Sequence, residues 1–288
     1  MELRVLKYFL VAAREENITK AAALLHVTQP TLSRQLLQLE EELGVKLFRR
    51  GKYRVSLTEE GMLLRRRAQE IVELAEKTEQ EFQRQEGELA GAISIGTGES
   101  NSMTALSRRM AGFRREHPLV RFHIYSATAD EIQERLEKGL LDLGILTEPA
   151  DIGRYEFIRL PKRDQWGVWV DREHPLAARE RVTPQDLLGV PLLLPQRERV
   201  QQELAGWFGD DFEKAEVAAT YNLVLNAANM IRNGVGIALG FLLGNLSDDL
   251  RFIPLSPALE TGSVLVWKKD QAFSPTAAAF LRDLRRAE

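Results

Sequence analysis

The hydrophobic pattern of residues 18–61 predicts two short helices joined by a tight turn. In the first helix, small and apolar side chains fill positions 21–25, and Thr19 is the predicted N-cap. His26 and Val27 then form the turn. Because the alanines at the start of this run are small, a neighbouring helix is expected to approach closely.

The second predicted helix begins after Thr28 and ends at Gly44. Thr28 is a favourable N-cap, and Pro30 lies in the first turn, where a missing N–H costs nothing. Gly44 suits the C-terminal stop of a helix. At spacings of four, three and four, one face carries Leu32, Leu36, Leu39 and Leu43. This face is expected to be buried, which leaves the opposite face for solvent or DNA.

The polar face of the second helix is followed by a basic segment that is expected to form a hairpin wing. Short polar and guanidinium groups are the kinds that read base edges or hold phosphates. For an arbitrary amphipathic helix, a solvated face is the commoner meaning. Here the two-helix spacing and the basic segment favour double-stranded DNA. The predicted DNA contacts are Thr28, Gln29, Thr31, Ser33, Arg34, Arg50, Lys52 and Arg54.

Residues 58–88 predict one long polar helix with an apolar seam. Thr58 is the expected N-cap, and Glu59 and Glu60 complement the positive helix end. The seam, at spacings of four and three, consists of Leu64, Ala68, Ile71, Ala75, Thr78 and Phe82. A helix this polar is marginal alone, so pairing with a second copy is favoured over packing on its own chain. A homodimer would place two recognition helices on an interrupted inverted repeat.

From residue 91 onward, short apolar runs alternate with amphipathic stretches, which predicts an α/β domain with a parallel sheet. The predicted strands are 93–95, 122–125, 143–146, 165–170, 192–194, 217–219 and 263–267. The predicted helices are 103–113, 132–139, 221–232 and 274–286.

Polar residues follow several of these strands, where ligands of parallel sheets bind. The candidates for a ligand contact are Ser100, Asn101, Ser102, Thr128, Thr147 and Tyr221. The loop at 97–102 would suit a carboxylate or a similar oxyanion. From the residues alone, helix capping by Ser100, Ser102 and Thr128 is an equal alternative. Glu99 opposes an anionic ligand unless it points away or pairs with a basic group. Residues 196–199, a charged stretch after a strand, are expected at the same edge, although a solvated loop is the commoner meaning of such a run.

Composition and charge limit the function further. The 288 residues include 39 basic and 42 acidic side chains, a net charge of −3, yet residues 28–54 hold six basic and three acidic ones. Such a local positive strip suits contact with DNA through one face. Without cysteine there is no disulfide, thiolate nucleophile or sulfur metal site. No run of eighteen apolar residues and no signal-peptide pattern is present, so a cytoplasmic protein is expected.

No motif indicates an enzyme, a metal or a cofactor. The glycines from 234 to 240 have the wrong spacing for a dinucleotide fingerprint and follow a predicted helix. They are better interpreted as a helix C-cap before a short strand. No metal-ligand spacing with acidic partners is found among His26, His117, His123 and His174.

Three segments resemble the N-terminal domain of LysR-type transcriptional regulators. They are Thr-Gln-Pro-Thr-Leu-Ser-Arg-Gln-Leu at 28–36, Leu-Glu-Glu-Glu-Leu-Gly-Val-Lys-Leu-Phe-Arg-Arg at 39–50 and Leu-Thr-Glu-Glu-Gly at 57–61. The similarity is dense from residue 3 to residue 61, with weaker landmarks at 91–96, 113–118, 141–145, 174–177 and 234–239. Positions 37 and 38 are usually polar or basic in the family, and Leu37 departs from that pattern.

The resemblance implies an α/β multidomain protein: a winged helix-turn-helix domain (1–58), a linker and dimerisation helix (59–89) and an effector domain (90–288). The effector domain would have two lobes, like a periplasmic binding protein, with lobe I at 90–160 and 262–288 and lobe II at 161–261. In the family, the residues that follow the strands line the effector cleft, which favours binding over capping there.

The implied function is a sequence-specific regulator whose DNA contact is modulated by a small-molecule effector, with a small organic acid as one candidate. The resemblance also favours a homotetramer over a homodimer. Two rivals remain: an enzyme or solute-binding domain with a vestigial helix-turn-helix, and an architectural DNA-binding protein that needs no effector.

Overall fold

The computed structural model describes residues 1–51, 54–82, 88–244 and 246–286, the side chains of residues 50 and 80–82 excepted. Lys52 of the predicted wing lies outside these ranges. The chain folds as two compact units, Met1–Gln83 and Arg84–Glu288. Among the described residues, no helix combines the length and the apolar character needed to cross a membrane.

The first unit consists of helices and a hairpin. In chain order its elements are α1 (Leu3–Glu15), α2 (Ile18–Leu24), α3 (Gln29–Leu43), β1 (Phe48–Arg50), β2 (Val55–Leu57) and α4 (Glu59–Phe82). The strands β1 and β2 pair antiparallel, with Phe48 opposite Leu57. The predicted helix-turn-helix and its wing are therefore confirmed.

The start of α2 differs from the prediction. Asn17, in an extended conformation, accepts a hydrogen bond from the backbone N–H of Lys20 at 2.9 Å. The helix therefore begins at Ile18, and Thr19 lies inside it rather than at its N-cap. The prediction of Thr19 as the N-cap was wrong, because asparagine is an equally good cap and Asn17 stands two residues earlier.

The recognition helix α3 has the predicted ends. Thr28 is its N-cap and accepts a hydrogen bond from the backbone N–H of Thr31 at 3.4 Å. Gly44 closes it with φ of 68°. The buried apolar side chains end at Leu39, and Leu43, expected in the core, is 39% exposed in the last turn. The core of this unit is thus built beneath the first three turns of α3.

Glu40 is a buried acidic residue that joins α3 to the wing. Its carboxylate accepts hydrogen bonds from the backbone N–H groups of Leu47 (2.8 Å) and Phe48 (3.1 Å) and from Lys46 Nζ (2.9 Å). Burial raises the pKa of Glu40, but Lys46 and the two N–H donors outweigh burial, so the pKa lies below its ordinary value. The ionised carboxylate therefore holds the first wing strand against the recognition helix.

The linker helix α4 packs one face on its own unit. Thr58 caps it by accepting a hydrogen bond from the Gly61 N–H at 2.9 Å. Leu64, Ala68 and Val72 lie in the core cluster of the first unit. Packing on its own chain, the alternative to pairing, thus accounts for this part of the helix.

A second apolar stripe on α4 faces away from that core. Leu63 is 54% exposed, Ile71 41% and Leu74 42%. The predicted seam therefore divides between two faces: Leu64 and Ala68 are inside, whereas Ile71 is outside. The side chain of Phe82, the last predicted seam residue, lies outside the described part of the chain. Because α-helical positions advance by about 100° each, a spacing of three or four alone does not separate two adjacent stripes.

Lobe I of the second unit is built on a mixed sheet. Its elements are β3 (Gly91–Thr97), α5 (Ser102–Glu116), β4 (Val120–Ser126), α6 (Ala129–Glu137), β5 (Leu143–Thr147), β6 (Tyr155–Arg159), β13 (Ser263–Lys268) and α9 (Pro275–Arg285). The strand order is β4-β3-β5-β13-β6. As predicted, β3 is parallel to β4 and β5. The prediction of a wholly parallel sheet is wrong. The chain re-enters lobe I with Ser263 opposite Thr147, so β13 runs antiparallel to its neighbours β5 and β6.

Lobe II has its own sheet. Its strands are β7 (Asp164–Asp171), β8 (Leu192–Pro195), β9 (Val217–Tyr221), β10 (Ile237–Phe241), β11 (Leu250–Pro254) and β12 (Glu260–Thr261). Its helices are α7 (Glu198–Phe208), α8 (Val224–Arg232) and the 3₁₀ turns Pro175–Ala178, Pro184–Leu187 and Gly209–Lys214. The strand order is β11-β7-β10-β8-β9, with β12 beside β7. The sequence predicted that Tyr221 begins the following helix, but Tyr221 ends β9. The reason is that its buried side chain belongs to the core beside the sheet.

Replacing Glu40 with glutamine tests the wing attachment. The amide keeps one acceptor oxygen and loses the charge, so we expect a loss of about 1–3 kcal/mol in the free energy of unfolding at pH 7. Because the folded-state pKa of Glu40 is lowered, the carboxylate stabilises the protein above the unfolded-state pKa. This stabilisation is lost as the pH falls through the folded-state pKa. Urea unfolding at neutral and acidic pH measures both effects.

The exposed neighbour Glu41 is the matched control, and Glu41→Gln is expected to change the stability by less than about 0.5 kcal/mol. Equal effects of the two substitutions at pH 7 would contradict a special role for Glu40.

Candidate DNA-binding surface and effector cleft

The first two turns of α3 carry an exposed polar face. Thr28, Gln29, Thr31 and Arg34 are exposed, and Ser33 is half-buried. Gln29 Nε2 donates to Ser33 Oγ at 2.9 Å, and the hydroxyls of Thr28 and Thr31 lie 2.8 Å apart. The structure thus brings the predicted residues of this helix together on one accessible surface.

The wing supplies the other predicted DNA contacts. Arg50 ends β1, and the exposed Arg54 precedes β2. The Gly51 N–H donates to the Arg54 carbonyl at 2.8 Å, and the Val55 N–H donates to the Glu16 carbonyl at 2.9 Å. These bonds close the hairpin and attach it to the end of α1.

A cleft of about 230 Å³ lies between lobe I and lobe II. Its rim is formed where the parallel strands of both lobes end, the position where ligands of such sheets bind. Of the predicted ligand contacts, Thr128, Thr147 and Tyr221 line it. Its apolar wall includes Ile145, Trp166, Val200 and Phe241.

Arg197 crosses this cleft from lobe II to lobe I. Its side chain is 8% exposed, and its Nε and Nη2 donate to the two carboxylate oxygens of Asp130 at 3.2 and 3.1 Å. Nη1 donates to the Thr147 carbonyl at 3.2 Å. All three guanidinium nitrogens are therefore engaged by lobe I. The sequence predicted the charged stretch 196–199 at this edge, but Arg197 was not among the predicted ligand contacts.

Glu99 makes a second contact across the cleft. Its Oε2 accepts a hydrogen bond at 2.5 Å from the N–H of Val224, the first residue of α8. Helix N-termini carry unpaired N–H groups and favour negative charge. The chain therefore places one of its own carboxylates at the end of α8 that faces the cleft.

Comparison with known proteins decides the family. Residues 3–62 match the model described as "Bacterial regulatory helix-turn-helix protein, lysR family", and residues 86–288 match "LysR substrate binding domain". The chain belongs to the LysR family of transcriptional regulators. As a LysR-type regulator, it combines a DNA-binding domain with an effector-binding domain, and the relatives found are regulators rather than enzymes.

Two curated regulators illustrate the similarity. This LysR-type protein is 30% identical over 286 residues to the uncharacterized HTH-type transcriptional regulator YybE of Bacillus subtilis. The match covers 97% of each of the two chains. It is 27% identical over 279 residues to the Hca operon transcriptional activator HcaR of Escherichia coli. That match covers 94% of this chain and 93% of HcaR.

The fold matches the crystal structure of CbnR, a LysR family transcriptional regulator, with a TM-score of 0.80 and 23% identity. That match covers 100% of this chain and 99% of CbnR. Full-length CbnR in complex with its target DNA gives a TM-score of 0.78. These matches establish the two-lobed architecture.

Three predicted effector contacts of this LysR-type regulator lie beside the cleft rather than in its lining: Ser100, Asn101 and Ser102. Asn101 instead joins the lobes, because its backbone N–H and Nδ2 donate to Asp164 Oδ1 at 3.0 and 2.9 Å. Its Nδ2 also donates to the Leu242 carbonyl at 2.6 Å. The hydroxyls of Ser100 and Ser102 are buried without a hydrogen-bond partner in the described residues, so neither caps α5.

The cleft-lining candidates have structural partners of their own. Thr128 forms a capping box with Glu131 at the start of α6, which confirms the capping alternative for this residue. The Tyr221 hydroxyl donates to the Leu239 carbonyl at 2.6 Å. Burial, assisted by the Glu99 charge, raises the pKa of Tyr221, so this side chain stays neutral at physiological pH. In the described residues, no group of three or more histidine, aspartate or glutamate side chains is placed to hold a metal ion.

Truncating Asn101 to alanine tests its role between the lobes. The substitution removes both Nδ2 hydrogen bonds and leaves the buried Asp164 with fewer donors. We expect a loss of about 1–3 kcal/mol in the free energy of urea unfolding. The exposed Asn226 of α8 is the matched control, and Asn226→Ala should be neutral within about 0.5 kcal/mol. A neutral Asn101→Ala variant would contradict the assignment.

Proposed function

We propose that this LysR-type regulator binds an interrupted inverted repeat through α3 and the wing, and that an effector in the cleft changes this binding. One observation carries the effector part: Arg197 and Glu99 bridge the two lobes across the cleft. A ligand that enters the cleft must therefore act on contacts made by both lobes. A ligand shifts a conformational equilibrium only when it interacts differently with the two states, and contacts shared by two lobes provide that difference.

The exposed face of α3 supports the proposed DNA contacts. Gln29, Thr31, Ser33 and Arg34 are assigned to base edges and nearby phosphates, with Thr28 beside them at the helix N-terminus. Arg50, Lys52 and Arg54 are assigned to the DNA backbone or the minor groove. Guanidinium groups suit phosphate oxygens and guanine, whereas amides and hydroxyls suit other base edges.

The exposed stripe of Leu63, Ile71 and Leu74 supports a homodimer through α4. Three large apolar side chains along one helix face are a recurrent feature of helix–helix contacts. A second copy that covers this stripe would give the two-fold symmetry that an inverted repeat requires. A homotetramer is the further expectation from the family resemblance, and the bacterial cytoplasm, where the DNA lies, is the proposed location.

Selection of bound genomic fragments tests the DNA contact. The wild-type protein is expected to enrich an interrupted inverted repeat. For Arg34→Ala, loss of a charged contact should weaken binding to that repeat about tenfold. Arg282→Ala, an exposed arginine of α9, is the matched control and should bind like the wild type. If the wild-type protein enriches no common sequence, the proposed DNA function is wrong.

Sedimentation velocity tests the dimer. Charged side chains in the stripe oppose a buried apolar contact, so Leu63→Lys combined with Leu74→Lys should shift the protein towards the monomer. Gln69→Lys adds a charge to an exposed position elsewhere on α4 and should leave the dimer intact. A double variant that sediments like the wild type would remove this stripe from the interface.

A further inference from the structure

The charges of the cleft bear on the chemistry of its ligand. Among the described residues that line it, the charged side chains are Glu99, Glu131 and Arg197. The carboxylate that pairs with Arg197 belongs to Asp130. The cleft and this partner thus hold three carboxylates and one guanidinium. Electrostatically, this arrangement attracts a cation and repels an anion.

Arg197 and the N-terminus of α8, which would each attract an anion, already contact a carboxylate of the chain itself. Asp130 receives two hydrogen bonds from Arg197, and Glu99 receives the first N–H of α8. An anionic ligand that binds Arg197 or the start of α8 would have to displace Asp130 or Glu99, and the displaced carboxylate would remain nearby. This charge balance opposes the small organic acid that the sequence suggested as a candidate effector.

Glu99 retains capacity to accept a ligand group. Its Oε2 is engaged by Val224, whereas Oε1 has no hydrogen-bond donor in the part of the chain that the structure describes. The side chain is exposed and lines the cleft. A donor that binds Oε1 would therefore add to the link between Glu99 and α8 and need not break it.

The remaining wall of the cleft is polar in part, with Ser126, Gln196 and Asn222, and apolar in part. Trp166 and Phe241 lie with their ring centroids 4.4 Å apart, and Ile145 and Val200 also line the cavity. Such a surface binds a hydrocarbon or aromatic body, and aromatic rings add attraction for a nearby cation. A ligand with a small apolar body and a positively charged group matches both parts of the cleft.

We infer that the effector is an amine with a small apolar body, whose ammonium group binds the Glu99 carboxylate. This inference rests on the proposed function, because it takes the cleft as the effector site. Glu99 is then a specificity-determining residue: it selects amines over acids of similar shape. Through its hydrogen bond to Val224, it also connects the bound ammonium in lobe I to α8 in lobe II.

Calorimetric titration of the full-length protein tests the inference with two matched sets of probes. The first is benzylamine, benzyl alcohol and benzoate, and the second is isopentylamine, isopentanol and isovalerate. At least one amine should bind about tenfold or more tightly than its matched alcohol and acid, since a hydrogen bond between charged groups contributes more than a neutral one.

Glu99→Gln should reduce the affinity for that amine to the affinity for its alcohol. Glu213→Gln, which neutralises an exposed carboxylate outside the cleft lining, should bind the amine like the wild type. The inference is overturned if an acid binds more tightly than its amine, if neither amine binds at millimolar concentration, or if Glu99→Gln keeps the wild-type amine affinity.

Fragment selection with the same protein preparations separates the two proposals. If the wild-type protein enriches an inverted repeat but fails the amine titration, the proposed DNA function stands and the amine inference alone is wrong. If it enriches no common sequence, the proposed function itself is wrong.

Discussion

The effector cleft depends on the buried carboxylate of Asp164. This residue begins the first strand of lobe II, and its Oδ1 receives both the backbone N–H and the side-chain amide of Asn101 in lobe I. On the returning crossover, Thr261 pairs with the same residue in the β7–β12 ladder. Asp164 is 1% exposed, and the Asn101 donors replace lost water at Oδ1, whereas Oδ2 is buried with no hydrogen-bond partner among the described residues. The start of α5 and the two crossover strands are thereby held together.

The contacts around this crossover explain how the cleft can respond to a ligand. Asp164 holds the lobes together beside the crossover strands, whereas the Arg197–Asp130 ion pair and the Glu99–Val224 hydrogen bond join them at the cleft. The Asp164 contacts are partly buried, but Asp130 and Glu99 are exposed, so the contacts at the cleft are weakened more by water and salt. A ligand therefore competes with weaker contacts at the cleft while the Asp164 contacts keep the lobes aligned.

In the DNA-binding unit, most of the positioning contacts join residues that are near one another in the sequence. Thr28 caps α3 through Thr31, and Glu40 holds the wing through residues 46–48. The polar face of α3 could be predicted because its caps and apolar spacing specify which residues the helix contains and which side is buried. The role of Glu40 was missed because a charged residue in a polar helix turn ordinarily indicates exposure.

The sequence by itself determined many local elements: the ends of α3, the wing, the linker-helix cap and seven strands of the two lobes, but not β6, β11 or β12. These depend on dihedral preferences, capping and periodicity within a few residues. Tertiary structure decided which leucines of α4 lie inside, and that Asn101 donates to Asp164. It also decided that Arg197 pairs with Asp130. Asn101 is 63 residues from Asp164, and Arg197 is 67 residues from Asp130. No local pattern specifies such partners, because the folded chain brings together positions that are unrelated in the sequence.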